Sequence, residues 1–443
     1  MRKHTSPRRQ VRLLALVAGA ALALTACSAG SLGSSGGDGD GVSLTFLVDS
    51  NESNLAAAES AAAAFTALHP DLTVEVEGRP GGSEGDNIVK TRLATGDMPD
   101  VFLYNSGSLF QAIGPVQNLV PVSDQPWVAD LETNFKDVVT AEGQVYGAPF
   151  GPQMTGAVLY NKRVYADLGL EIPRTWEAFM ANNAAVAAAG LTPVIQTYGD
   201  TYTSQLFVLG DFHNVSSAEP DFAQRYTAGE AKYATSPAAL EGWQHLQELH
   251  DAGYYNEDFP TAKLEDGLRQ LGAGEGAHYP MLSNALAVLA LTSPEGAQDV
   301  GIFPIPGDDP ATNGLTVWSP SGVYVPKTTE GAQLDAARQF QAFLASPEGC
   351  AAQAEGATPT GPYAVNGCEL PDDVLPATHD FQSYIDAGAF SPALEFLSPI
   401  KGPALEQITV EVGSGIRPAA DGAALYDEDV RKQALQLGLE GWE

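Results

Sequence analysis

Residues 42–76 read VSLTFLVDSNESNLAAAESAAAAFTALHPDLTVEV, and their periodicity decides the fold class. Leu44, Phe46 and Val48 recur at every second residue, the repeat of a strand with a buried face. Leu55, Ala58, Ala62 and Phe65 recur at helical spacing behind Ser53 or Asn54 as capping side chain. Leu72, Val74 and Val76 return to the strand repeat, so the stretch is a βαβ unit and the chain is α/β. Working outward, a second helix is expected from Asp86 through Ile88, Val89 and Leu93 to Gly96, which suits a C-terminal cap. Val101-Phe102-Leu103 then makes a third, buried strand, and the Gly-rich stretch 81–85 reads as a flexible connection ahead of the second helix. Farther on, Thr175 caps a helix with Glu177 in its first turn, and Leu334, Ala337, Phe340 and Phe343 form another apolar helical face.

Upstream of the unit the chain carries an address. Arg8, Arg9 and Arg12 precede an apolar run from Leu13 to Leu24, too short to span a bilayer and followed by small residues, as in an export signal. Leu24-Thr25-Ala26-Cys27 resembles the bacterial lipobox, in which the cysteine is diacylated and becomes the mature N-terminus. Residues 1–26 are therefore expected to be a lipoprotein signal peptide and 27–41 a flexible Ser/Gly/Ala/Asp tether, with Cys27 lipidated at the outer face of the cell membrane. An ordinary secretory peptide with a chance cysteine is the alternative, and Arg8-Arg9 also admits the twin-arginine route. Roughly 400 residues remain, too many for one core, so two domains are expected.

The chain holds 22 Lys+Arg against 55 Asp+Glu, a net charge of −33. Five of the basic residues and none of the acidic ones fall in 1–26, which leaves 17 against 55, or −38, after processing. Such a surface repels nucleic acid, anionic lipid and anionic ligands, while a neutral ligand fits easily. Cys350 and Cys368 lie 18 positions apart and outside the cytoplasm by the export argument, so a disulfide is predicted, with two buried thiols as the alternative. A loop of that size would contribute about 3 kcal/mol.

Four further stretches carry a family resemblance. They are Ala94-Thr95-Gly96-Asp97-Met98-Pro99-Asp100-Val101, Tyr146-Gly147-Ala148-Pro149, Leu159-Tyr160-Asn161-Lys162, and Pro173 through Phe179. Their order and spacing resemble the extracellular solute-binding proteins of sugar ABC transporters, the maltodextrin-binding type being the best-known relative. Ser321-Gly322-Val323-Tyr324-Val325-Pro326-Lys327 and the helix ending Phe343-Leu344-Ala345-Ser346-Pro347-Glu348 resemble the family's return to its first lobe. The resemblance implies a two-lobe, class II periplasmic-binding-protein-like fold with a hinge and an interlobe cleft. Its N-lobe would be 42–151 plus 307–357 and its C-lobe 152–306 plus 358–443.

In open α/β sheets ligands bind beyond the carboxyl ends of the strands, so those loops supply the candidates. Asp49, Asn51 and Glu52 follow the first strand and offer acceptors, and in Asn51 also donors, for sugar hydroxyls, with helix capping as the competing role. Tyr104 and Asn105 follow the third strand and combine a ring with an amide; burial of Tyr104 in the core is the competing reading. By resemblance, Phe150, Gln153, Tyr202, Asn284, Trp318, Ser319 and Phe396 join them. Relatives carry a cleft tryptophan in the segment matching Gly276 to Asn284, but this chain has none there. Tyr279 or Asn284 would then take its place, or Trp318 would stack the sugar.

Catalytic motifs are weak. Gly81-Gly82-Ser83-Glu84-Gly85 fits G-x-S-x-G, yet Arg79-Pro80 separates it from its strand. His245 and His250 with Glu248 miss the i, i+4 spacing of zinc ligation and read as a solvated or partly packed helix face. No cofactor and no metal is expected. The expectation is a non-enzymatic, monomeric binding protein that takes a small carbohydrate and meets ABC permease subunits at the membrane, with no nucleic-acid partner. Alternatives are the same fold serving a polyol or amine, a secreted glycoside hydrolase, and a structural or adhesion module.

Overall fold

A computed structural model describes residues 41–442, of which 41 onward form one compact unit. The signal sequence, Cys27 and the tether up to residue 40 lie outside the described residues. The strands are β1 (Val42–Asp49), β2 (Leu72–Arg79), β3 (Val101–Tyr104), β4 (Thr140–Ala141), β5 (Gln144–Val145), β6 (Ala148–Phe150) and β7 (Met154–Asn161). They continue with β8 (Thr192–Val194), β9 (Gly276–Leu282), β10 (Val300–Phe303), β11 (Leu315–Trp318), β12 (Ser321–Tyr324) and β13 (Phe390–Pro392). One sheet has the order β2-β1-β3-β12-β6; the other has β13-β11-β7-β9-β8 with β10 also beside β7, and β4 pairs with β5 apart from both.

The first sheet is a middle layer between helices. Leu44, Phe46 and Val48 of β1 pack with Phe65 of the helix Glu52–Leu68 and Phe340 of the helix Gly331–Leu344, while Leu47 points into the opposite cluster with Phe102, Tyr104 and Phe110. Both faces are covered, as a mostly parallel sheet requires. Phe340 meets Phe46 and Phe65 nearly edge-on at 5.4 and 5.2 Å, so truncating it to alanine would cost about 3–5 kcal/mol. The first helix begins at Glu52, earlier than expected, because the Asn51 carboxamide accepts the Asn54 N–H at 2.9 Å. The second helix runs Gly82–Thr95, so the Gly-rich stretch is its first turn rather than a loose connection; it ends as expected on Gly96 at φ 74°. Thr175 caps Trp176–Ala188 by accepting from Ala178 N–H.

In the second lobe His278 is fully buried, with Tyr165 Oη at 2.7 Å from Nε2 and the Asn183 and Pro193 oxygens each at 2.8 Å from Nδ1. Of the two expected surroundings for the His245 face, solvated or partly packed, the structure shows the packed one: His245 is buried and stacked on Trp176, ring centroids 3.5 Å apart, while Trp176 Nε1 donates to Glu248.

Only Gly151, Pro152 and Gln153 separate β6 of the first sheet from β7 of the second. Only Ser319 and Pro320 separate β11 from β12 on the way back. The chain thus stays in the second sheet through Trp318, since β11 pairs with β7, whereas the sequence assigned residues from 307 to the first lobe. The last passage also differs from the expected break at 358. Tyr363, Ala364 and Val365 still pack in the first-lobe cluster with Trp127 and Phe135, and Val365 bridges Leu131. Cys350 and Cys368 are joined as a disulfide. Phe381, on the helix Pro376–Asp386, belongs to the second-sheet cluster, so the crossing falls between these segments.

Candidate functional site

The short crossings bring strand ends of the two sheets together. Asp49, Arg79, Tyr104 and Phe150 end β1, β2, β3 and β6, and Ser321 opens the antiparallel β12 beside Phe150. From the second sheet Met154 opens β7, and Leu282 and Trp318 close β9 and β11 nearby. Between these edges lies a cavity of about 410 Å³. Asn51, Ser53 and Asn54 line it from the first helix, Phe150 to Pro152 and Pro320 to Ser321 from the crossings, and Asn284 and Val288 from the second lobe. Gln353, Thr358, Thr360 and Tyr363 close it. Among the described residues, no Asp, Glu, Lys, Arg or His belongs to the lining.

Of the expected site residues, the cavity unites Asn51, Phe150 and Asn284. Asn51 spends its carbonyl oxygen on the cap, leaving its amide. Asn284 stands exposed ahead of the helix Ala285–Thr292 and makes no capping bond, so its carboxamide can serve a ligand. Tyr279, the other stand-in for the missing tryptophan, is buried with its hydroxyl on Thr197. Glu52 is exposed outside the lining, and Tyr202 is half-exposed on the turn Thr201–Gln205, also outside it. Gln153 is buried, and its amide donates to Glu132 at 3.0 Å; burial raises the Glu132 pKa and that bond lowers it in part.

A second group gathers around the end of β3. Asp49 is paired with the buried Arg79 at 2.7 Å, so one of its oxygens is already used. Burial raises the Asp49 pKa, Arg79 opposes this, and Asp86 adds to it. Tyr104 is a core residue, 1% exposed, with the Arg79 guanidinium 5.9 Å from its ring centre. Asn105 is exposed in the following loop, and its backbone oxygen accepts from Tyr324 Oη. Phe396 leans over Gly107, whose φ of 71° and lack of a Cβ permit the approach: a Cβ there would stand 2.7 Å from the ring. Trp318 is 8% exposed, covers Gly156, and donates Nε1 to Glu395 at 2.7 Å. It is a wall of the second lobe rather than a free stacking platform. Ser319 is buried beside it, where Ser106 Oγ donates to the Pro320 oxygen.

Sequence reasoning missed Arg79, Glu395 and the segment Gln353 to Tyr363. Arg79 was legible as a lone cation at a strand end in an acidic chain, and Thr358 to Tyr363 as a Pro- and Gly-rich connection, the kind that carries sites. Among the described residues no group of three or more His, Cys, Asp or Glu is placed to hold a metal ion, and no helix is long and apolar enough to cross a membrane.

The model of the family described as bacterial extracellular solute-binding protein matches residues 49–350. The multiple sugar-binding protein of Streptococcus mutans is 24% identical over 261 residues, which is 57% of this chain and 59% of that protein's length. The melibiose/raffinose/stachyose-binding protein MelE of Bacillus subtilis is 24% identical over 325 residues, 68% of this chain and 69% of its own. In three dimensions a chitin oligosaccharide binding protein superposes with a TM-score of 0.72 at 22% identity, covering 90% of this chain and 100% of that one. Apo RafE from Streptococcus pneumoniae gives 0.72 at 18%, covering 89% and 99%. At these identities the likeness establishes the fold, a two-lobe class II binding-protein architecture.

Proposed function

We propose a function from one premise: this chain belongs to the bacterial extracellular solute-binding proteins. On that premise it is a lipid-anchored substrate-binding protein outside the cell, monomeric and without chemistry of its own. It captures a neutral sugar or short oligosaccharide and delivers it to the permease subunits of an ABC importer. The observation that carries this reading is the lining of the cavity. A sugar hydroxyl both donates and accepts, and so do the amide of Asn284 and the hydroxyls of Ser321, Thr358 and Thr360, while Asn51 keeps its amide N–H groups as donors. Phe150 and Tyr363 add ring surface for the apolar face of a pyranose. A charged amine, uronic acid or phosphate would leave water without a counter-charge in the lining, a cost of several kcal/mol.

The relatives named for multiple sugars and for melibiose, raffinose and stachyose support a saccharide over an acyclic polyol. A glycoside hydrolase needs two carboxylates flanking the bond it cleaves, and this lining supplies none. The lipobox-like Cys27 supports the anchor.

A thermal-shift screen tests the reading with raffinose, stachyose, maltose and galactose against glucosamine, glucuronate and glycine betaine. A neutral saccharide at about 1,000 times its Kd should stabilise by about 4 kcal/mol. A shift confined to the charged compounds would overturn the proposal, and release of reducing ends from a bound oligosaccharide would make the protein an enzyme.

A further inference from the structure

The segment closed by the Cys350–Cys368 disulfide contains Gln353, Ala357, Thr358, Thr360 and Tyr363, and all of them line the cavity. Gln353 stands three positions beyond Cys350, so the two share a face of the helix Pro347–Gly356. Its buried side chain reaches the hinge: Oε1 accepts the Gly151 N–H at 2.8 Å, and Nε2 donates to the Gly349 oxygen at 3.2 Å. Gly151 opens the crossing from β6 to β7 at φ 81°, a conformation that other residues rarely adopt. The Cys368 end is seated on the first lobe, where Asn366 N–H donates to the Asp130 oxygen at 2.7 Å and Glu132 N–H to the Ala364 oxygen at 3.1 Å. A covalent bond and a hydrogen bond thus run in series from that seat, through one helix, to the crossing.

We propose that the Cys350–Cys368 bridge is a strut of the cavity. It sets Gln353 against Gly151 and holds the wall from Thr358 to Tyr363, so that opening the bridge loosens wall and crossing while both lobes stay folded. The inference rests on the cavity only for its consequence in binding. Opening is a two-electron reduction. A dithiol attacks the half-buried Cys368 sulfur, the S–S bond breaks, two protons end on Cys350 and Cys368 as thiols, and the dithiol closes to its own disulfide.

The test uses the full chain without its signal peptide in four forms: oxidised, reduced with dithiothreitol, C350S/C368S, and Q353M. Hydrogen exchange is read by mass spectrometry. Segments 150–154 and 356–363 should exchange roughly tenfold faster in the reduced and double-serine forms, with β9 unchanged. Q353M, which removes the acceptor but keeps the bridge, should speed 150–154 alone. Unchanged exchange at 150–154 in the double-serine form overturns the strut, and so does equal acceleration in both lobes, which would make the bridge a device of global stability. Raffinose titration of the same samples separates the two readings. Roughly tenfold weaker binding accompanying the loosened wall supports both. A loosened wall with raffinose bound as tightly as before keeps the strut and removes the cavity from the ligand site.

Discussion

Replacing His245 with phenylalanine should remove a defined share of the protein's loss of stability in acid. His245 is buried against Trp176, and burial lowers its pKa from 6.5 to about 3. Below pH 6.5 the unfolded chain gains a proton there that the folded chain refuses until about pH 3. The stability contribution is therefore complete above pH 6.5 and is lost as the pH falls toward 3. Within that window each pH unit costs about 1.4 kcal/mol, so at pH 5 the buried imidazole costs about 2 kcal/mol. Phenylalanine keeps a ring on Trp176 and has no proton to gain. Urea denaturation followed by circular dichroism at pH 7 and pH 5 should show the parent losing about 2 kcal/mol more than His245→Phe across that interval, a large part of an ordinary 5–15 kcal/mol. The comparison cancels two other groups. His278, also lowered to about 3 by burial, adds the same acid loss to both proteins. Asp211, whose pKa burial raises, works the opposite way in both, since the folded state takes its proton first as the pH falls. Identical pH dependence in parent and variant would refute the burial account of His245.

Asn284→Ala should weaken binding of a neutral sugar by about 0.5–1.5 kcal/mol while leaving the melting temperature unchanged, because the side chain is exposed and caps nothing; calorimetric titration of equal affinity would remove Asn284 from the site. Cys27→Ser should release the protein from washed membranes with ligand affinity intact, and its retention in the membrane fraction would dismiss the lipobox reading.

What could be read from the sequence was what neighbours along the chain decide. The alternation in β1, the Thr175 cap and the Gly96 terminus each involve residues within a few positions of one another, and the structure keeps all of them. The membership of β11 was not legible, because Leu-Thr-Val-Trp suits either sheet and only pairing with β7 settles it. The same holds for the side chains of the site. Asp49 meets Arg79, Trp318 meets Glu395, and Gly151 meets Gln353 across separations in sequence that no local pattern reports. Tyr104 shows the difficulty most plainly: a ring after a strand reads alike whether it covers a ligand or fills a core, and here it fills the core.

Pro152 and Pro320 stand in two of the three crossings, those that couple β6 to β7 and β11 to β12. Each proline ring removes one backbone rotation from a connection that has few to offer. With β12 hydrogen-bonded to β6, and β11 to β7, the connections cannot swing independently, since both ends of each are tied to the same partner strands. The coupling is mechanically a door on two pins rather than a ball in a socket. Displacement of one sheet against the other would turn on these paired connections and on the third passage between Val365 and Pro376, and a spin-label distance from Asn105 to Asn284 would report it.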